Sequence, residues 1–356
     1  MSPTLANSLT SHKFSAAAPC IFFPYVIYYF KQIIRSVFDM IKPITGPFFE
    51  FDHHNRPEGK YYNETMWAFS ESQWRAKVRE TDELGMDTLV LMASALYDEV
   101  YYHGGAFPYA KRMACPNCLE VLLDEADKTG QRIFLSTGFY GNWTDPITNT
   151  TDPEIINRSL HAMNIISEQF GHHRCIEGWY MPDEWAILGH FDERFIQYIN
   201  TISAEARRMN PKNKTMIAPY GTQFTQPDDQ YVKQLERMDL DIIAYQDEVG
   251  VEKTTVDQEA AYYEALSKAH QKAGRAKIWA DMEVFRFEEQ VYTSALLPAP
   301  WERVKAQMEA ISPFVEKIII YAYQGMMTKP GSIARCGYET AERLYTDYRN
   351  WLMNNK

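Results

Sequence analysis

From residue 42 onward the chain repeats one pattern eight times: a short apolar run, then a longer segment of helical period. The runs fall at 44–51, 88–93, 132–137, 176–181, 215–219, 241–245, 277–282 and 317–323. Each is rich in Ile, Val, Leu, Phe or Tyr and bounded by Gly, Pro or Asp, as strands buried on both faces of a parallel sheet should be. The segments between them carry helix signals. Ser70-Glu71-Ser72-Gln73 reads as a capping box before a helix that Gly85 closes. Leu119, Leu122, Leu123 and Ala126 mark a helix over 118–129 that stops at Gly130. Asp152-Pro153 supplies an N-cap and a first-turn proline. Asp192, Asp228 or Asp229, Asp257, Pro300 and Tyr338 open the remaining helices. Strand-helix alternation on this scale predicts an α/β fold, a (β/α)8 TIM barrel forming a single domain over 40–356. A doubly wound open sheet is disfavoured, because no GxGxxG or GxxxxGK turn follows any strand. In a barrel the loops at the strand C-terminal ends hold the active site. Here those loops are long after the first, second, third and seventh runs.

The 356 residues, 46% of them hydrophobic, suffice for a core of this size. A net charge of -11 with no long basic run argues against a nucleic-acid partner. Aromatic residues make up 14%, many of them in Gly/Asn/Pro-rich loop segments, which suits a surface that stacks on flat ligand faces. Cys115-Pro116-Asn117-Cys118 lacks a second ligand pair for zinc and reads as a local disulfide or two free thiols. Residues 1–39 differ in composition and are expected to form a poorly structured leader or an anchor. Their apolar stretch, 21–30, contains Pro24 and is too short for a stable membrane span. It offers no small-residue cleavage site, so it is not a clean signal peptide. Sequons such as Asn142-Trp143-Thr144 are permissive for a secreted or cell-surface location, which otherwise stays open.

Two strand ends carry acids. The fourth run stops at Pro182 and delivers Asp183, Glu184 and Trp185. Side chains alternate along a strand, but a turn at the proline leaves open which acid faces the barrel mouth. On the seventh run Trp279, Asp281 and Glu283 share a face, which should be the barrel interior, with Glu283 at the rim. A pair of buried carboxyl groups with separated pKa values can protonate a leaving oxygen with one member and attack, or activate water, with the other. Gln246 and Asp247 close the sixth run and are candidates for binding hydroxyls. Of His53 and His54 at the first strand end, His53 is the candidate for a hydroxyl contact. Adjacent histidines point to opposite faces and do not make the His-x-His geometry of metal-dependent barrel hydrolases. Candidate sugar-stacking rings are Tyr140, Trp143, Trp185, Tyr220, Tyr245, Phe285 and Tyr323.

Acids at the ends of the fourth and seventh strands resemble the clan of retaining TIM-barrel glycoside hydrolases over residues 42–353. The resemblance implies an acid/base at Glu184 and a nucleophile at Glu283. Ile44-Thr45-Gly46-Pro47-Phe48-Phe49, Gly178-Trp179-Tyr180-Met181-Pro182-Asp183-Glu184, Tyr245-Gln246-Asp247-Glu248-Val249-Gly250 and Asp281-Met282-Glu283-Val284-Phe285 are similar to a narrower family. It consists of glycosidase-like barrels, many of them bacterial, under a domain-of-unknown-function label. At one position the chain departs from the larger clan. Those enzymes carry an Asn that contacts the sugar 2-hydroxyl before the acid/base; here Asp183 stands there and is the expected substrate contact. The resulting expectation is an O-glycoside hydrolase that needs no cofactor and acts on an oligosaccharide or glycoside. A barrel that binds carbohydrate without cleaving it, and a metal-dependent hydrolase using His53 or His54, are the alternatives.

Overall fold

The computed structural model describes residues 41–355; the leader expected over 1–39 lies outside them. Eight parallel strands close into a barrel. They are β1 (Ile44–Phe49), β2 (Thr88–Leu91), β3 (Arg132–Ser136), β4 (Ile176–Met181), β5 (Lys214–Ile217), β6 (Ile242–Gln246), β7 (Lys277–Glu283) and β8 (Lys317–Tyr321). Each strand pairs with its neighbours in sequence, and β8 closes onto β1. The surrounding helices are α1 (Glu71–Glu83), α2 (Cys118–Thr129), α3 (Pro153–Phe170), α4 (Glu193–Met209), α5 (Asp229–Arg237), α6 (Val256–Ala273), α7 (Trp301–Ile311) and α8 (Ala341–Asn354). The chain is thus a single-domain (β/α)8 barrel, and no described helix is long and apolar enough to cross a membrane.

The caps explain the helix starts. Ser70 and Gln73 form the capping box of α1. The side chains of Asp152, Asp192 and Asp228 accept backbone N–H bonds at the starts of α3, α4 and α5. Helix α6 begins before the expected Asp257, because Thr255 and Gln258 make a reciprocal box that satisfies two orphan donors, more than one aspartate could. Two tight positions set strand spacing. A Cβ at Gly178 would lie 1.9 Å from the Lys214 carbonyl oxygen, so only glycine lets β4 approach β5 this closely. Gly46 faces the Thr88 carbonyl in the same way, at 2.2 Å.

Inside the barrel, Trp279 meets Phe134 edge-on at 6.1 Å, and Phe48 meets Tyr180 at 5.1 Å. These rings fill the barrel interior below the site, and a second cavity of about 230 Å³ opens at its N-terminal end beside Phe134 and Trp279. Cys115 and Cys118 are buried free thiols. At the C-terminal end the loop after β2 contains a two-stranded ribbon, Ala95–Leu96 with Glu99–Val100. The loop after β7 contains another, Phe285–Phe287 with Leu296–Pro298.

Candidate active site

A cavity of about 450 Å³ sits at the C-terminal ends of the strands, and both expected glutamates line it. Pro182 ends β4, and the chain then turns Glu184, not Asp183, toward the barrel mouth. Glu184 Oε1 accepts the Tyr180 hydroxyl at 3.0 Å and Oε2 accepts Gln246 Nε2 at 2.7 Å. Burial pushes its carboxyl up to about 7, against the pull of those two bonds. Asp183 points behind the cavity and holds a single side-chain bond, from Asn149 Nδ2 at 2.7 Å. Burial raises it to about 7 as well.

Glu283 ends β7, and its peptide unit is gripped on both sides. Its N–H donates to Asp247 Oδ1 at 3.1 Å, while its carbonyl accepts Arg303 Nη2 at 2.9 Å and Gln307 Nε2 at 3.1 Å. The residues on α7 are one turn apart, so both reach the same carbonyl. The side chain accepts the Val251 N–H at 2.8 Å. Burial, then the neighbouring Asp247 carboxylate, holds Glu283 above the usual carboxylate range. One layer lower, Asp281 also lines the cavity. Burial raises it too, with Glu184 and Glu283 adding to the effect, and its Oδ1 has no partner among the described residues. Glu58 lines the cavity as well, and for Glu184, Asp281 and Glu283 burial disfavours the charged form.

On the β1 and β8 side, His53 Nδ1 lies 3.1 Å from both Glu50 oxygens and 3.0 Å from the Tyr321 hydroxyl, and Nε2 lies 3.0 Å from Glu58. Burial opposes the charge on this ring, but the two carboxylates outweigh it and raise its pKa to about 10. His53 is therefore an imidazolium at neutral pH. Glu50, His53 and His54 approach the spacing of a metal site. Yet both ring nitrogens of His53 are engaged as donors to carboxylates, which does not fit a metal ligand. His54 lines the cavity instead. Burial, and then the His53 charge, depress its pKa, so it is neutral there.

Of the other expected contacts, Trp143, Tyr220, Gln246 and Phe285 line the cavity. His53, Asp183 and Asp247 stand behind lining residues rather than in it. Tyr140, Trp185, Tyr245 and Tyr323 require correction, since they turn into the packing between strands and helices, where their polar ends are satisfied. Tyr140 meets the Tyr102 hydroxyl at 2.7 Å. Trp185 donates to Thr150 Oγ1 at 2.9 Å and stacks on Phe195 at 5.5 Å. Tyr245 bonds the Tyr231 hydroxyl at 2.7 Å and His270 at 2.9 Å. Tyr323 donates to Glu80 at 2.9 Å. For Tyr245 the alternation of a strand carried the signal: with Gln246 inside, its neighbour must face the helices. Of the adjacent histidines it is His54, not the expected His53, that lines the cavity. Sequence reasoning missed Lys253, Tyr292 and Tyr321 as lining residues; Tyr321 pairs with Glu283 across β7 and β8.

The sequence over residues 44–334 matches the profile of the domain of unknown function DUF4434. The chain belongs to the DUF4434 family. No curated protein sequence matches it significantly. Among solved structures, this DUF4434 barrel is similar to a protein of Bacteroides thetaiotaomicron provisionally assigned as an alpha-L-fucosidase, with TM-score 0.71 and 17% identity over 88% of this chain and 94% of that one. It is also similar to an endo-1,4-beta-mannanase of Rhizomucor miehei, with TM-score 0.57 and 8% identity over 88% and 95%. A third neighbour is a GH5_18 protein of Streptomyces cattleya in complex with Manb1-4GlcNAc, with TM-score 0.52 and 16% identity over 86% and 81%. The DUF4434 chain thus shares the barrel fold of these three structures. At these identities the likeness speaks for the fold, and the chemistry must be argued from the cavity.

Proposed function

We propose that this DUF4434 protein is a glycoside hydrolase in which Glu184 is the general acid and Glu283 the nucleophile or water-activating base. The observation that carries the reading is the presence of two carboxyl groups in a single aromatic-walled cavity, the half-buried Glu184 just after β4 and the buried Glu283 at the end of β7. Burial raises both carboxyl groups, so the roles are assigned from position, Glu184 after β4 and Glu283 at the end of β7, and not from the shifts. The Arg303 guanidinium and the Val251 N–H favour the Glu283 carboxylate, against burial and the neighbouring Asp247 and Glu248. In this reading Glu184 donates its proton to the glycosidic oxygen as the bond to the anomeric carbon breaks. Glu283 meets the developing oxocarbenium centre, by direct attack or by deprotonating a water. Retention, with a covalent glycosyl-enzyme, is the outcome suggested by the resemblance to the retaining clan. The neutral His54 and Gln246 are suited to bind hydroxyl groups, and Trp143 and Phe285 offer faces for the sugar ring.

The test is release of nitrophenol or reducing sugar from a panel of aryl glycosides and oligosaccharides, with the parent, Glu184→Gln and Glu283→Gln. The reading expects turnover of at least one substrate and losses of at least about 100-fold in each variant. A folded parent that turns over nothing would favour a carbohydrate-binding barrel.

A further inference from the structure

The cavity lining carries both carboxyl groups and a cationic donor. Deep in it, Glu184, Asp281 and Glu283 offer carboxyl oxygens suited to sugar hydroxyls. Lys253 is the sole ammonium or guanidinium group among the described residues that line the cavity. Its Nζ lies 4.8 Å from the centre of the Tyr220 ring and 5.7 Å from that of Tyr292, and both phenols line the same cavity. The segment is held rather than loose. Glu248 and Glu252 adopt left-handed backbone angles, φ 56° and 60°, and the N–H groups of Lys253 and Thr254 both return to the Glu248 carbonyl, at 3.0 and 3.2 Å.

Lys253 has one carboxylate partner, Glu248, with Nζ 3.2 Å from Oε1. The other Glu248 oxygen accepts the Gly221 and Thr222 N–H groups at 2.8 and 2.9 Å, so Glu248 mainly ties its loop to the one after β5. An ammonium carries three donors. Glu248 and the Tyr292 hydroxyl engage two of them and leave Lys253 one for a ligand, beside two phenols that can also donate. A neutral sugar presents hydroxyls, which the carboxyl groups already serve. A group made only of acceptor oxygens is what this donor cluster matches.

We propose that the cavity takes a sugar bearing an oxyanion substituent, a uronate carboxylate or a sulfate ester, seated on Lys253 between Tyr220 and Tyr292. The proposal rests on the glycosidase reading for its kinetic test but not for its binding test. In the kinetic test, kcat/KM is measured with the full chain on nitrophenyl glucuronides and galacturonides, on the matching glucosides and galactosides, and on their 6-sulfated forms. Preference for the uronides identifies a carboxylate, and preference for the sulfated forms a sulfate. Lys253→Gln is expected to lose about 10- to 100-fold on the preferred anionic substrate, mostly through KM, and less than about 2-fold on neutral ones. Lys253→Arg should recover part of the loss. Preference for neutral glycosides, or equal losses on both classes, would overturn the proposal and leave Lys253 as no more than the counter-ion of Glu248. In the binding test, thermal unfolding is followed with D-glucuronate, D-galacturonate, D-glucose 6-sulfate, D-glucose and D-galactose. Stabilisation by an anionic sugar that Lys253→Gln abolishes would uphold the proposal even if nothing is hydrolysed, in which case the catalytic reading alone fails. Absence of such stabilisation together with absence of turnover on anionic substrates would overturn the proposal.

Discussion

Asp183→Asn should make the protein more stable at alkaline pH and leave it unchanged in acid, the reverse of what loss of a salt-bridged aspartate does. The carboxyl group is buried, its one side-chain bond comes from neutral Asn149, and its pKa is raised from 3.8 to about 7. A raised carboxyl pKa means that the folded state binds the proton more tightly than the unfolded chain. Its contribution to stability is therefore full below the unfolded value, falls as pH climbs from about 4 to 7, and is absent above. At ~1.36 kcal/mol per pH unit, the interval between 3.8 and about 7 corresponds to at most roughly 4 kcal/mol. Asparagine cannot ionise, and its carbonyl can still accept the Asn149 amide. Urea unfolding midpoints of parent and variant, from pH 4 to 8, give the difference directly. The Asp183 charge also acts on Glu184, so the difference between the two slopes reports Asp183 together with the part of the Glu184 shift that Asp183 causes. A difference that does not change with pH, or a parent that gains on the variant as pH rises, would refute the reasoning.

Three further outcomes follow from the packing. Gly178→Ala places a methyl 1.9 Å from a backbone oxygen of β5 and should cost about 3 kcal/mol or more, read as lost soluble yield or a lowered unfolding midpoint; a parent-like midpoint would contradict the strand spacing. The His53 imidazolium, with its pKa raised from 6.5 to about 10, stabilises fully below pH 6.5 and loses that contribution as pH rises through about 10. The unfolding midpoint should accordingly drop between pH 7 and 10 in the parent, and His53→Gln should be less stable but flatter; a flat parent curve would contradict the paired imidazolium. Trp185→Phe removes an indole bond to Thr150 but nothing in the cavity, so it should lower stability by about 1 kcal/mol with KM unchanged, whereas Trp143→Ala should raise KM. A raised KM for Trp185→Phe would return that ring to the substrate site.

What the sequence revealed divides along physical lines. The eight strands were legible because burial on both faces leaves uninterrupted apolar runs. The helix starts were legible because Ser70, Asp152, Asp192 and Asp228 satisfy orphan N–H groups that every helix has. Glu283 was readable from the alternation of β7. Glu184 was harder, since Pro182 breaks the alternation just before it and Asp183 competes for the same place. The aromatic residues misled most, because a tyrosine with a buried partner such as Tyr231 or Glu80 has the same local sequence as one facing a sugar. Lys253 and Tyr292 were invisible: they lie in irregular loops, and Tyr292 itself has φ 65°, where no periodicity operates. The His53 charge rests first on Glu50 and then on Glu58, and only the loop conformation brings Glu58 to it.

The central claim is that Glu184 supplies the proton and Glu283 the attack. Its most direct test is kcat/KM for the parent and the two Gln variants on one sugar carrying either a dinitrophenolate or a poor, alkoxide-type leaving group. The account predicts that Glu184→Gln loses at least about 100-fold on the poor leaving group but little on dinitrophenolate, which needs no proton, while Glu283→Gln loses activity on both. Equal losses on the two leaving groups in Glu184→Gln, or retained activity in Glu283→Gln, would contradict it.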